Sequence, residues 1–258
     1  MKRRLIYLPG VLCAVVIAVF LCGCQEPTEQ IVVQTEPSVE GLLSAVMDGG
    51  GTFEDVPFAS LIEQSTDRQV IAVDPSDQIS AELLSVIETA MASIFVKFNQ
   101  TDSEPNQEKR INEVSSHFEE ALREAITAEA GWTCDYPRNA EGNLQRAGYP
   151  DLMIRHEASG LTAYLDPKLV EQGSLKSSLR TFYFTPRRET SKVLHDAHHL
   201  LIGIEHDGNT GDWRYLRWHL VDLSDFRVRL KAEFQASNRD LYVPELIILK
   251  GGQPEEDP

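Results

Sequence analysis

The chain has 258 residues, a formal net charge of −16 and four cysteines. Its acidity argues against the broad basic surface of a dedicated nucleic-acid binder. Three of the cysteines fall within the first 24 residues, which excludes a disulfide framework in the remainder.

The N-terminal MKRRLIYLPGVLCAVVIAVFLCGC has a basic start, then an apolar run too short to span a bilayer comfortably. It reads as a signal peptide over residues 1–23. Its end, Leu21-Cys22-Gly23-Cys24, resembles a bacterial lipobox. That resemblance implies lipidation at Cys24 and a membrane anchor held by acyl chains. Gln25 rather than Asp follows the cysteine. The expected location is therefore the cell envelope, facing the periplasm, at the outer membrane. Residues 24–45 are polar, acidic and proline-containing and read as a tether.

Residues 46–105 are expected to form a helical extension. Within it, residues 68–74 suggest a short strand. Residues 76–99 suggest a helix capped by Ser76 or Asp77, with Ile79, Leu83, Ile87, Met91 and Ile94 at helical spacing. A second helix over 107–130 carries Ile111, Val114, Phe118, Leu122 and Ala125 on one face, and Gly131 ends it. Strands are then expected at 132–136, 151–157, 161–168, 181–184, 199–204 and 213–223, with a helix at 224–237. This order implies an α/β (α+β) fold with a mixed sheet, over residues 106–250. About 200 residues lie between the tether and a disordered tail at 251–258, enough for one core with decorations. Cys134 reads as a half-buried structural cysteine, since no base lies near it in sequence.

The charge is uneven. Residues 25–131 hold 21 acids and 5 bases, whereas residues 168–231 hold 11 bases and 8 acids. The later segment is the one that follows YPDLMIRHEASGLTAYLDPK, residues 149–168. If Ser159-Gly160 is a two-residue turn, Asp151 faces Lys168 and lies diagonal to Asp166. Asp166 and Lys168 are two apart and share a strand face. Two aspartates suit a hard cation such as Mg²⁺, and a neighbouring lysine can orient water and offset charge on a phosphate.

Pro150-Asp151 followed by Asp166-x-Lys168 resembles the motif of the PD-(D/E)xK nuclease superfamily. RINEVSSHFEEAL before it, and SLRTFYFTP and HHLLIGIEHD after it, resemble the flanking blocks of restriction-endonuclease-like proteins. The resemblance covers residues 107–235. It implies a phosphodiesterase using Mg²⁺ or Mn²⁺, bound by Asp151 and Asp166, with Lys168 positioning water. It also implies a helix glutamate, for which Glu113 is the candidate and Glu120 the rival. DNA or RNA would be the substrate. The alternative is an inactive module of the same fold that binds an envelope protein partner. Arg180, Arg187, Arg188 and Lys192 are either phosphate contacts or a solvated loop. His195 and His199 have the spacing of a helical metal pair, with His198, His206 and His219 nearby, but face apart if the segment is a strand.

Overall fold

A computed structural model describes residues 52–178, 181–231 and 236–249. The signal peptide, Cys24, the tether, Arg180 and the tail lie outside the described residues. The described residues all belong to one unit, 46–258.

The elements run β1 (Thr52–Pro57), α1 (Phe58–Thr66), α2 (Gln78–Phe98), a short α3 (Glu104–Gln107) and α4 (Ile111–Thr127). Then come β2 (Trp132–Asp135), β3 (Leu152–His156), β4 (Thr162–Glu171), β5 (His198–His206), β6 (Tyr215–Asp222), β7 (Arg227–Lys231) and a short α5 (Asn238–Leu241). Strands β2 to β6 form one sheet in sequence order. The β4–β5 pair is parallel and the other pairs are antiparallel. This is the mixed-sheet α/β class that the sequence pattern implies. β1 and β7 form a separate antiparallel ribbon.

Helix α2 starts because Asp77 accepts a hydrogen bond from Ser80 N at 2.8 Å, satisfying one of the first-turn amides. Helix α4 buries Val114, Phe118, Leu122 and Ile126, a strict four-residue repeat that makes one apolar stripe. Both stripes pack with Ala163 and Leu165 of β4 and Leu200, Ile202 and Ile204 of β5. These strand residues alternate, so the other sheet face carries Tyr164, Asp166 and Lys168 on β4 and His199, Leu201 and Gly203 on β5. One side of the sheet is therefore core, and the opposite side is where polar chemistry is placed.

At one end that second face is closed by a smaller cluster. Phe58 of α1 meets Tyr149, Phe182, Phe184 and Phe226 with ring centroids 5.5–6.1 Å apart. Three expectations change here. Residues 181–184 are not a strand: Phe182 and Phe184 pack onto Phe58 from irregular backbone. Residues 68–74 supply only a bridge, Val70 to Ala197. Residues 227–231 form a strand, not part of a helix, because RVRLK alternates with period two.

Candidate active site

The β3–β4 hairpin sets the site. Its register pairs Leu152 with Leu165 and Arg155 with Thr162. The connection is longer than a two-residue turn: Gly160, at φ +75°, donates to His156 O, and His156 N donates to Leu161 O. Glu157, Ala158, Ser159 and Gly160 form the loop. The longer loop moves the register by two, so Asp151, one residue before Leu152, comes into line with Asp166 rather than Lys168.

Lys168 still reaches both aspartates, because it lies two residues on from Asp166 on the same face of β4. Its Nζ donates to Asp151 Oδ2 at 3.1 Å and lies 2.7 Å from Asp166 Oδ2. The second contact is a close ion pair in which the Lys168 ammonium is the charge partner of the buried Asp166 Oδ2. Asp166 is 2% exposed. Burial first, and the neighbouring Asp151 second, push its carboxyl up to about 7 against the pull of Lys168. Burial works to lower the Lys168 ammonium, but Asp166 and Asp151 together outweigh it and raise it.

A third carboxylate belongs here. Glu119 of α4 is half-buried, and burial followed by the charge of Asp151 raises it, with Arg146 and Lys168 opposing. Arg146 Nη2 holds Glu119 Oε2 at 2.6 Å and lies over the Tyr136 ring at 3.8 Å. The two candidates drawn from sequence lie elsewhere. Glu113 is exposed in the first turn of α4. Glu120 is taken by Arg123 and by the Tyr136 hydroxyl, which hold its carboxyl at about 2. Glu119 precedes the buried Leu122 by three and follows the buried Val114 by five. The helical phase could have shown that it borders the apolar stripe.

Lys192 is also drawn in rather than solvated. It is 2% exposed, donates to Gly148 O at 2.5 Å and feels Asp151, Asp166 and Glu119, while burial lowers its ammonium. Gly148 begins the turn that delivers Asp151. The same turn is tied at Tyr149, whose hydroxyl hydrogen-bonds His199 Nδ1 at 2.7 Å. Burial pushes His199 down to about 3, so this imidazole is neutral. Arg188 donates to Gln64 O, and both it and Arg187 are exposed.

The histidines do not converge. His198 Nδ1 meets Ile71 O, His199 faces Tyr149, and His206 packs edge-on to Trp213. Consecutive strand residues point to opposite faces, which separates His198 from His199. Among the described residues no group of three or more His, Cys, Asp or Glu side chains is drawn together tightly enough to be a preformed metal cage. Asp151 and Asp166 nevertheless fit a hard cation. They are adjacent carboxylates already bridged by a cation, the Lys168 ammonium. Cys134 takes no part: it is buried, and burial pushes its thiol up to about 12.

Comparison with known proteins places the chain in a family. The model of the type II restriction enzyme MjaV family matches residues 52–245. The chain belongs to the MjaV type II restriction enzyme family. A curated relative, type II restriction enzyme MjaV of Methanocaldococcus jannaschii, is 27% identical over 220 residues, covering 81% of this chain and 94% of that one. The family span contains Glu119, Asp151, Asp166, Lys168 and Lys192. It leaves residues 1–51, with the lipobox-like segment, outside.

Proposed function

We propose that the protein is a divalent-metal-dependent DNA endonuclease whose working group is Asp151, Asp166, Lys168 and Glu119. The observation that carries this reading is Lys168 Nζ held between two adjacent aspartates, one of them 2% exposed. Membership in a restriction enzyme family supports DNA as the substrate.

Asp151 and Asp166 would hold Mg²⁺ or Mn²⁺, with Glu119 closing the carboxylate set from α4. The ion supplies Lewis-acid polarisation of the phosphate and a more acidic water. The chain's own residues do the rest. Lys168, beside both carboxylates, would hydrogen-bond a non-bridging phosphate oxygen or orient the attacking water. Its cationic charge then meets the charge that builds on phosphorus. Lys192 fixes the Gly148–Asp151 turn and so the placement of Asp151. The bond made is water oxygen to phosphorus and the bond broken is phosphorus to a sugar oxygen; the attacking water gives up a proton to solvent and the sugar oxygen leaves with one taken from solvent.

The leader supports a further part of this reading. Leu21-Cys22-Gly23-Cys24 favours lipidation at Cys24, with residues 24–45 as a tether and the nuclease domain at the outer membrane, facing the periplasm. Mass spectrometry of the membrane-extracted protein tests it: a diacylglyceryl adduct at Cys24 is expected, and an intact leader would exclude it.

The experiment for the reaction is a substrate panel. Purified protein is incubated with duplex DNA, single-stranded DNA and RNA in Mg²⁺ or Mn²⁺, with EDTA controls. Metal-dependent cutting of duplex DNA is expected. Inertness towards all three, with folded protein, would leave the inactive binding module as the reading.

A further inference from the structure

Gly203 is an odd residue for its place. It sits inside β5, the second strand from the sheet edge, where glycine has no side chain to pack and is disfavoured. Nothing in the fold demands it. Its φ is not in the left-handed region, and among the described residues an added Cβ would meet only His219 O, at 4.0 Å. A strand glycine often marks a bulge, a bend, or a place where a ligand or another backbone approaches closely; the β5–β6 irregularity lies at Glu205–His206, away from Gly203.

The surroundings say what approaches. The register sets Lys168, Gly203 and His219 side by side across β4, β5 and β6, and Asp166, Leu201 and Val221 in the next row. Both rows are on the face that carries the aspartates. Above Gly203 lies a cleft of about 490 Å³, lined by Lys168, Val170, Leu201, Gly203, His219 and Val221. That volume is within the range of pockets that take a molecule of nucleotide size, about 300–1,000 Å³. Two strand spacings separate Lys168 from His219, about 10 Å between Cα atoms. The cleft thus has Lys168 at one side, the bare backbone of Gly203 as its floor, the exposed His219 at the far side, and Ser174, Leu175, Ser177 and Thr181 of the segment after β4 as a further wall.

We propose that this cleft is a subsite for the nucleotide next to the scissile phosphate. The sugar or base packs over Gly203 between Val170, Leu201 and Val221, and His219 meets the adjoining phosphate or base edge. The proposal rests on the nuclease reading above, because the cleft shares Lys168 with that site. The occupant is a nucleotide of the substrate because Lys168, which pairs with both aspartates, also lines the cleft.

The test uses the full protein with Gly203→Val and, separately, His219→Ala. Valine is a favoured strand residue and fills the floor. His219 is exposed on an edge strand, so its removal leaves the fold intact. Binding of a labelled DNA duplex is measured in Ca²⁺, cleavage in Mg²⁺, and Mn²⁺ binding by calorimetry. The expected result for Gly203→Val is at least tenfold weaker duplex binding and higher KM, with Mn²⁺ affinity unchanged. His219→Ala is expected to raise KM about threefold or more with kcat preserved. Wild-type affinity and KM in both variants, in a protein that cuts DNA, would overturn the subsite and leave the nuclease reading standing. So would a Gly203→Val chain that loses melting temperature or changes its oligomeric state at unchanged affinity, since a segment of this chain or a second copy would then fill the cleft. A wild-type protein that neither binds nor cuts duplex DNA would remove the nuclease reading, and the subsite with it.

Discussion

Lys168 and Asp166 stand two residues apart on one face of β4, with Nζ 2.7 Å from Oδ2, and Asp151 closes the triangle from the neighbouring strand. The cation keeps two carboxylates together that would otherwise repel. It is also the group best placed to meet charge on a phosphate. Lys168→Ala removes both roles. Cleavage is expected to fall about 10²- to 10³-fold, the usual cost of losing one donor to a transition-state oxygen. Single-turnover rates at saturating DNA check this; a loss confined to KM would assign Lys168 to binding only.

Asp166 makes the free protein sensitive to pH. Its carboxyl is raised from 3.8 to about 7 in the folded chain. A group raised on folding adds stability that is fully present below its unfolded value and is lost as pH rises through the folded one. The metal-free protein is therefore expected to lose stability between about pH 4 and pH 7 through this group. Asp166→Asn, which carries no charge, is expected to melt higher than wild type at pH 8 and to lose that advantage at pH 4. Melting curves in EDTA across this range provide the check.

The same carboxyl couples protons to metal. Binding a cation at Asp151 and Asp166 displaces the proton on Asp166, so Mn²⁺ affinity is expected to fall as pH drops below about 7. Calorimetry in two buffers of different ionisation enthalpy, at pH 6.5, is expected to show proton release. Equal heats in both buffers would place the metal elsewhere.

Glu119 and Glu113 can be separated directly. Glu119 is half-buried and within electrostatic reach of Asp151 and Lys168, whereas Glu113 is exposed on the first turn of α4. Glu119→Gln is expected to lower kcat at least tenfold, and Glu113→Gln to leave it within about twofold. The converse order would return the helix role to Glu113.

Much of this was legible in the chain itself. The helical spacing of Ile111, Val114, Phe118 and Leu122 gave α4, though its buried face ends on Ile126 rather than Ala125, and Asp166-x-Lys168 gave a shared strand face. The proline-aspartate pair and the triplet converge as their spacing suggests. The hairpin register was less accessible: Ser159-Gly160 reads as a two-residue turn, but Gly160 takes its left-handed conformation at the end of a four-residue loop. Glu119 was hidden because propensity places helix residues on a face without saying which neighbour bends towards the site. Arg146, from a distant irregular loop, helps hold it there. Lys192 looked like part of a solvated basic stretch, and only tertiary packing buries it against Gly148. For Phe182 and Phe184, β propensity lost to long-range packing on Phe58.

The stripe on α4 is also testable. Phe118 is fully buried, with rings of Phe98 and Tyr215 at 4.9 and 4.8 Å. Phe118→Ala is expected to cost about 3–5 kcal/mol in unfolding free energy. A loss under about 1 kcal/mol in urea titration would mean that the two helices and the sheet do not share one core.

The most direct measurement is linearisation of supercoiled plasmid in Mn²⁺ by wild type and by Asp166→Ala and Lys168→Ala, each shown folded by its melting curve. Cutting by wild type, abolished by EDTA and by both substitutions, is the expected result. Cutting that survives either substitution at wild-type rate would contradict the assignment of the reaction to the Asp151–Asp166–Lys168 group.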